Sequence, residues 1–144
     1  SMLLQGTLNE LEDISLLFSE YREFYGIKDC HSESKERLIN NDSIIFLAYD
    51  DKIAYGFIQL YFSYSSLVIS PTIILNDLYI IKSHRRCGVA TQLMKKVRNF
   101  ANNSAYNVIS LCISIDNFKA RALYEKSGYK IDDQFVYYFL EPDK

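Results

Sequence analysis

Residues 72–91 read TIILNDLYIIKSHRRCGVAT, an apolar run followed by a basic turn and the start of an amphipathic segment. The pattern predicts a strand over Thr72–Ile81 and a helix over Gly88–Asn103. The first turn of a helix has N–H groups without intrahelical partners, and the helix dipole adds positive charge there. Because Gly88 and Ala90 are small, a diphosphate can approach this backbone closely, so the turn predicts an anion-binding loop.

The segment after this helix completes a crossover. Val108–Ile115 is continuously apolar, which predicts a strand buried on both faces. The order strand, helix, strand predicts parallel pairing and a right-handed connection. The chain has no Gly-x-Gly-x-x-Gly motif and no Gly-Lys-Ser/Thr loop, which disfavours the common dinucleotide and nucleoside triphosphate sites.

The rest of the chain predicts helices before a β meander and short elements after the crossover. These elements are a helix from a Thr7–Glu10 capping box to about Tyr25, a helix over Ser34–Ile39, strands over Ser43–Tyr49 and Ile53–Phe62, a helix over Asn117–Ser127, and strands over Tyr129–Ile131 and Gln134–Leu140. Tyr21 recurs at helical spacing with the apolar residues of the first helix. The helix over Gly88–Asn103 is expected to bury a stripe of Val89, Leu93, Met94, Val97, Phe100 and Ala101. The expected class is α/β (α+β), one domain over residues 2–144. Its mixed sheet of roughly six to seven strands would be flanked by about four helices.

Charge is distributed unevenly along the chain. The formal net charge is −2, yet residues 78–115 hold six basic residues and no carboxylate, whereas residues 1–77 have a balance of −7. A basic island in an acidic chain suits a small polyanion held at one place, and Arg85 and Arg86 beside the turn are the best candidates for binding it. The single lysines of the island fit a solvated helix face equally well. Nucleic acid would need a broader basic surface, so no nucleic-acid partner is expected.

Cysteine and histidine usage bears on compartment and on metal binding. The three cysteines show no metal-like spacing, and two histidines make a zinc site improbable. Without an apolar run of membrane-spanning length or a secretory signal, a cytoplasmic protein with reduced thiols and no membrane contact is expected. Cys87 is not expected to act as a nucleophile, because neither histidine has a claim to pair with it. Cys30 and Cys112 are predicted to be packing residues, and His84 to be exposed.

A second motif lies downstream, where residues 117–124 read NFKARALY. The pattern Arg-x-x-Gly-x-Ala at Arg85, Gly88 and Ala90 resembles the acyl-CoA loop of the GCN5-related N-acetyltransferases, the GNAT family. The Asn-x-x-Ala-x-x-x-Tyr pattern resembles the last helix of the same family. The resemblance covers Thr72–Tyr129 as one unit, and the earlier residues match mainly in element order.

The resemblance implies acetyl-CoA as co-substrate and assigns residues to it. Main-chain groups of Leu78, Tyr79 and Ile80 would pair with the pantetheine amides and polarise the acetyl carbonyl. Asn117 and Ala120 would lie along the pantetheine and pyrophosphate arm. The residues implied at the pyrophosphate are those of the turn: Arg85, Arg86, Cys87, Gly88, Val89, Ala90 and Thr91.

The last residue of the second motif, Tyr124, would point at the acetyl sulfur by the same resemblance. Thioester aminolysis needs a neutral amine, a stabilised oxyanion and a proton for the departing thiolate. An ordinary phenol has a pKa of about 10 and stays protonated at neutral pH, so Tyr124 is a plausible acid. The alternative is a core aromatic residue whose hydroxyl reaches the surface.

Asn76 and Asp77 are the candidates on the acceptor side. Residues 56–62 and 75–80 are similar to the polyamine and thialysine acetyltransferases, which carry Leu-Glu-Asp where this chain has Leu-Asn-Asp. A direct carboxylate base is therefore missing at Asn76. Asp77 could orient a cationic amine or relay a proton through water, or it could cap a loop or pair with an arginine. Successive strand residues face opposite sides, so Asn76 and Asp77 share a pocket only if the strand bulges.

The expected activity is transfer of acetyl from acetyl-CoA to a primary amine of a small molecule, by direct attack in a ternary complex. A polyamine or an amino-acid-like amine would suit the acidic first half of the chain. The alternatives are a non-catalytic acyl-CoA sensor and an enzyme that acetylates a protein amine. The apolar run Phe135–Leu140 fits either a homodimer contact or an internal strand.

Overall fold

The computed structural model describes residues 2–24, 43–63 and 71–143. The chain forms two compact units, Ser1–Cys112 and Ile113–Lys144. Three features of the sequence analysis lie outside the described residues, namely Cys30, the predicted helix Ser34–Ile39, and the end of the first helix at Tyr25.

The first unit contains a five-stranded mixed sheet with the spatial order β1-β2-β3-β4-β5. The strands are β1 Met2–Gln5, β2 Ile44–Asp50, β3 Ile53–Ser63, β4 Thr72–Ile80 and β5 Val108–Ser110. Neighbours are antiparallel from β1 to β4, and β4 pairs with β5 in parallel. The α/β class and the parallel crossover are confirmed. The short strand β1 was not predicted, because four residues show no periodicity that distinguishes a strand from a loop.

Three α-helices are found among the described residues: α1 Leu11–Phe24, α2 Val89–Asn102 and α3 Phe118–Lys126. A single 3-10 turn over Leu8–Glu10 leads into α1. The predicted capping box forms in part: Thr7 Oγ1 accepts the Asn9 N–H at 3.2 Å, and the Glu10 side chain accepts the Thr7 hydroxyl at 3.0 Å rather than the Thr7 N–H. These bonds lie at the start of the helical segment that leads into α1.

Helices α1 and α2 pack against the sheet of the first unit, each through one apolar stripe. The core that includes α1 consists of Ile14, Leu17, Phe18, Ile45, Leu47, Tyr49, Phe57 and Tyr79. On α2, Val89, Leu93, Met94 and Val97 are buried as predicted. The remaining predicted members of that stripe, Phe100 and Ala101, are half-buried.

The predicted strand Val108–Ile115 is wrong in length and burial. Only Val108–Ser110 pairs, opposite Thr72–Ile74 of β4, and Val108 is 50% exposed. Apolar composition reports a preference for burial, but a strand also needs a partner edge, and among the described residues the parallel ladder ends at Ser110. Beyond Ile74, β4 therefore has a described strand neighbour only on its β3 side.

The second unit contains α3 followed by irregular chain. The predicted strands Tyr129–Ile131 and Gln134–Leu140 are wrong, because residues 129–143 form no strand. Asp132 provides a local reason: its Oδ1 accepts the N–H groups of Gln134 at 2.9 Å and Phe135 at 3.3 Å. Such a turn competes with strand pairing for the same backbone donors. The described residues thus hold five strands rather than six to seven.

Candidate active site

Strand β4 contains a β-bulge at Asn76. On β3, Gln59 lies opposite Asp77 while the next residue, Leu60, lies opposite Leu75, so Asn76 is the extra residue on β4. A bulge interrupts the alternation of side chains and places two successive residues on the same side. The condition set by the sequence analysis is met, and Asn76 and Asp77 share one side of the sheet.

Asp77 is held at this bulge by two neutral donors. The Tyr21 hydroxyl of α1 donates to Asp77 Oδ1 at 2.8 Å, and the Asn76 side-chain amide donates to Oδ2 at 2.8 Å. Asp77 is half-buried and Asn76 is exposed. Among the described residues, Asp77 pairs with no arginine and caps no loop. Its carboxylate is therefore oriented, accessible from solvent, and not neutralised by a described cation.

Arg85 begins the turn but extends toward the end of α1. Its Nε donates to the Ile80 carbonyl at 2.8 Å, and its guanidinium carbon lies 4.7 Å from the ring centroid of Phe24 and 5.5 Å from that of Tyr79. Burial raises the pKa of the Tyr79 hydroxyl, the Glu20 carboxylate raises it further, and the Arg85 charge opposes both. Arg85 thus ties the turn to an aromatic cluster beside α1.

The turn before α2 presents its backbone to solvent. Arg86 and Gly88 both have left-handed backbone angles, with φ of 65° and 78°. Gly88 caps α2 without a side-chain hydrogen bond, and its carbonyl accepts the first intrahelical bond from the Gln92 N–H at 3.0 Å. The N–H groups of residues 89–91 stand at the helix start, where an anion binds most readily.

The space in front of Gly88 is open. No atom among the described residues outside its immediate neighbours lies within 4 Å of the position that a Cβ would occupy. Arg86, Cys87 and Gly88 are all exposed. The turn therefore combines the N–H groups of a helix start with open space at Gly88.

His84, predicted to be exposed, is half-buried instead. Its ring stacks on the buried Tyr55 ring with centroids 4.4 Å apart, and its Nε2 lies 3.5 Å from Asp50 Oδ2. Tyr55 is the extra residue of a second bulge, on β3, and such a distant stacking partner leaves no local signal at His84. Neighbouring Ser83 contacts His84 Nδ1 at 2.8 Å.

The described cysteines are both exposed. The Cys87 thiol donates to the Arg85 carbonyl at 3.5 Å, and no hydrogen bond joins it to an imidazole among the described residues. Cys112 was predicted to be a packing residue and is exposed, which makes that prediction wrong. It follows the point where the β5 ladder ends, so the apolar surroundings inferred from its sequence neighbours are not assembled around it.

The second motif forms a capped helix in the second unit. Asn117 is the N-cap of α3, and its Oδ1 accepts the Ala120 N–H at 3.2 Å. Tyr124 is the buried residue of α3, 8% exposed, with its ring edge-on to Tyr129 at 5.8 Å. The Asn-x-x-Ala spacing thus has a local structural role, since it satisfies one of the free donors at the helix start.

The sequence analysis did not single out Tyr21 as a site residue. At helical spacing among apolar residues, it was interpreted as part of the buried face of the first helix. It is 56 positions away from Asp77, so the contact depends on how α1 packs and where β4 bulges. No pattern within either segment could have revealed it.

The model of the acetyltransferase (GNAT) family matches residues 11–129. The chain belongs to this family. Its family and its relatives make it an acetyl-CoA-dependent N-acetyltransferase.

Several proteins are similar to this acetyltransferase. The uncharacterized N-acetyltransferase YhfO of Bacillus subtilis is 34% identical over 94% of both chains. An aminoglycoside N(6')-acetyltransferase type 1 of Acinetobacter haemolyticus is 26% identical over 77% of this chain and 79% of that enzyme. The crystal structure of a probable acetyltransferase matches with a TM-score of 0.91 at 34% identity, covering 100% of this chain and 99% of the other.

A further solved structure shares the fold at low sequence identity. It is an aminoglycoside acetyltransferase from an uncultured soil metagenomic sample in complex with sisomicin, with a TM-score of 0.81 at 14% identity, covering 99% of this chain and 96% of that one. Within residues 2–24, 43–63 and 71–143, no helix of this acetyltransferase is long and apolar enough to cross a membrane. The same residues include no cluster of three or more side chains suited to a metal ion.

Proposed function

We propose that this acetyltransferase moves the acetyl group of acetyl-CoA to a primary amine of a small cationic molecule, by direct attack in a ternary complex. The observation that carries the proposal is the oriented Asp77 carboxylate at the bulge of β4, held by two neutral donors. An uncompensated, half-exposed carboxylate attracts an ammonium group and fixes its direction by hydrogen bonds.

The turn before α2 fits the diphosphate of acetyl-CoA. The open space at Gly88 and the N–H groups of residues 89–91 would receive the phosphate oxygens. Exposed Arg86 adds positive charge at the same place. This fit depends on backbone geometry, so Cys87, Val89, Ala90 and Thr91 would contribute mainly through their main-chain atoms.

The edge of β4 suits the pantetheine arm. β5 pairs only with Thr72–Ile74, so Leu78, Tyr79 and Ile80 have a described strand neighbour on the β3 side alone. An extended amide chain can add to such an edge as a short strand. In that arrangement a β4 N–H group would polarise the thioester carbonyl. The family resemblance alone assigns Asn117 and Ala120 to the pantetheine and pyrophosphate arm.

The chemistry needs one bond made and one broken. The ammonium group at Asp77 first loses one proton to solvent through a water molecule on Asp77. The neutral nitrogen then attacks the thioester carbon, the C–N bond forms, and the C–S bond breaks with both electrons leaving on sulfur. The same nitrogen loses a second proton to solvent by the same route, and Tyr124 donates its phenolic proton to the departing thiolate and regains a proton from solvent. Asn76 has no carboxylate that could act as a base, and its side-chain amide donates a hydrogen bond to Asp77 instead.

The acceptor class follows from charge and from the relatives. Residues 1–77 carry a balance of −7, which favours a cation near the acceptor side. The relative from Acinetobacter haemolyticus is named for N-acetylation of an aminoglycoside, a small-molecule amine. The segments around the bulge resemble polyamine and thialysine enzymes, which also act on small cationic amines.

Release of CoA from acetyl-CoA tests the proposal directly. Purified protein is incubated with acetyl-CoA and, separately, with spermidine, lysine and sisomicin, and free thiol is measured over time. Turnover with any of these amines supports the enzyme. Tight acetyl-CoA binding without turnover would support the sensor alternative instead. Turnover only with a peptide or protein amine would mean that the acceptor is a protein.

A further inference from the structure

We propose that Tyr21 is a positioning residue of the acceptor site, which holds the Asp77 carboxylate in the orientation that receives the ammonium group. The inference rests on the proposed function and extends it to a residue on α1, distant in sequence from both motifs. Its basis is the hydrogen bond from the Tyr21 hydroxyl to Asp77 Oδ1 at 2.8 Å.

The direction of the Tyr21 hydroxyl is fixed by ring packing. The Tyr21 ring lies edge-on to Phe57 with centroids 5.6 Å apart and edge-on to Tyr79 at 5.4 Å. Phe57 is 1% exposed and Tyr79 is 6% exposed, so both belong to the packed core. Edge-to-face contacts of this kind restrict how a ring can tilt. The hydroxyl therefore reaches Asp77 from a fixed position.

The two donors on Asp77 restrain the plane of its carboxylate. Tyr21 occupies Oδ1 and Asn76 occupies Oδ2, so rotation of the carboxylate would break both bonds. Each carboxylate oxygen has further acceptor capacity beyond one hydrogen bond. The remaining lone pairs can receive the N–H groups of an ammonium ion without disturbing Tyr21 or Asn76.

The groups that face Asp77 differ in charge from those that face the Tyr79 hydroxyl, which include Glu20, a carboxylate on α1. Glu20 raises and Arg85 lowers the pKa of the Tyr79 hydroxyl, so charges of opposite sign both face that hydroxyl. Asp77 has only neutral partners among the described residues. A cationic amine consequently finds its uncompensated partner at Asp77, and the geometry of that partner depends on Tyr21.

The chain provides a matched control in Tyr49. Its hydroxyl donates to Asp13 Oδ2 at 2.6 Å, and this bond also joins α1 to the sheet. Tyr49 is 8% exposed, so its Tyr→Phe change removes a similar hydroxyl from a similar environment. Asp13 lies on the first turn of α1, eight positions before Tyr21, and has no bond to Asp77. A purely structural effect of losing a tie between α1 and the sheet should appear in both variants.

The experiment compares Tyr21→Phe, Tyr49→Phe and wild type with spermidine and sisomicin at saturating acetyl-CoA. Loss of a hydrogen bond to a charged group should raise the acceptor KM of Tyr21→Phe roughly tenfold. Its kcat and its KM for acetyl-CoA should stay within about twofold of wild type, and Tyr49→Phe should keep the wild-type acceptor KM. Thermal unfolding of both variants is recorded to verify that each is folded.

A double-mutant cycle makes the test specific to Asp77. If Tyr21 acts through Asp77, adding Tyr21→Phe to Asp77→Asn should change the acceptor KM by less than about twofold, because residues that act through one contact are not additive. Full additivity, an unchanged acceptor KM in Tyr21→Phe, or an equal rise in Tyr49→Phe would each overturn the inference.

The inference and the proposed function can fail separately. A wild type that acetylates amines together with an unaffected Tyr21→Phe variant overturns the role of Tyr21 alone. A wild type that binds acetyl-CoA but acetylates no amine of the panel overturns the proposed function, and the role of Tyr21 is rejected with it.

Discussion

The bulge of β4 and the turn before α2 are built from different parts of the chain. At the bulge, the arrangement is made by side chains, because Tyr21, Asn76 and Asp77 bond to one another. At the turn, the arrangement is made by the backbone. Arg86 and Gly88 both have positive φ angles, and they lead into the N–H groups at the start of α2. The difference teaches that substitutions within the turn should be tolerated where they keep the backbone angles and the open space at Gly88, whereas loss of a bonded side chain should be costly at the bulge.

The largest expected effect lies outside both regions, at Tyr124. Tyr124→Phe keeps the ring of this buried residue and removes only the hydroxyl that is proposed to protonate the thiolate. We expect kcat to fall by roughly 100-fold, the range that general acid catalysis supplies, with the KM for acetyl-CoA little changed. Steady-state kinetics measure both constants. Wild-type turnover in Tyr124→Phe would mean that Tyr124 contributes only its packed ring and not its hydroxyl.

Gly88→Val should give the largest effect on cofactor binding. A β-branched residue is strained at φ of 78° and would project into the open space that the diphosphate needs. We expect acetyl-CoA affinity to fall by more than roughly tenfold, measured by calorimetry, while unfolding remains cooperative.

Gly88→Ala is the matched control for that variant. It adds a single methyl group at the same left-handed angle, so it separates backbone strain from obstruction. Obstruction predicts that affinity declines in the order Gly, Ala, Val. Unchanged affinity in a folded Gly88→Val protein would mean that the diphosphate does not bind at this turn.

At the bulge, Asp77→Asn should lower acceptor kcat/KM by about tenfold, since a hydrogen bond to a charged group is lost. The wild-type value should also decline as ionic strength rises, because salt screens the attraction between the carboxylate and a cation. The variant should show a weaker dependence on salt. All rates are measured at saturating acetyl-CoA, so that cofactor binding does not contribute.

Asp50→Asn is the control for Asp77→Asn. Asp50 belongs to the same acidic half of the chain but lies beside His84, at the turn between β2 and β3. Its loss should leave acceptor kinetics near wild type. Equal effects of the two variants, or a preference for neutral acceptors, would indicate that general surface charge attracts the substrate and that Asp77 has no special part.

The smallest expected effect is that of Cys87→Ser. The Cys87 side chain is exposed, and its thiol donates to the Arg85 carbonyl. If the turn acts through its backbone, acetyl-CoA affinity and kcat should both stay within about twofold of wild type. A large loss of affinity or of kcat would contradict the statement that the turn acts through its backbone. It would indicate that the Cys87 thiol takes a direct part.

Features encoded locally could be predicted from the sequence. The cap at Thr7, the apolar stripe of α2, and the small residues of the turn each depend on neighbours within a few positions. The pair Asn76 and Asp77 could be predicted only conditionally, because a bulge is a mismatch between two strands and neither strand shows it alone. The partner Tyr21 could not be predicted, since packing of α1 brings it there.

The errors have a common physical origin. Residues 129–131 and 134–140 have strand-like composition, yet Asp132 draws the following N–H groups into a turn. His84 was predicted to be exposed because its neighbours in sequence are polar, and it stacks on Tyr55 instead. In each case the sequence pattern gave a preference, and a specific hydrogen bond or ring contact decided the outcome.

The incomplete pairing of β4 has a consequence for hydrogen exchange. Beyond Ile74, those amides of β4 that point away from β3 have no strand partner among the described residues. In the free protein they should exchange with deuterium faster than the β4 amides bonded to β3. If the pantetheine arm adds to this edge, acetyl-CoA should slow their exchange by more than its general stabilisation of the fold. The cofactor would then serve as a removable strand of the sheet, and its occupancy could be followed residue by residue without any acceptor present.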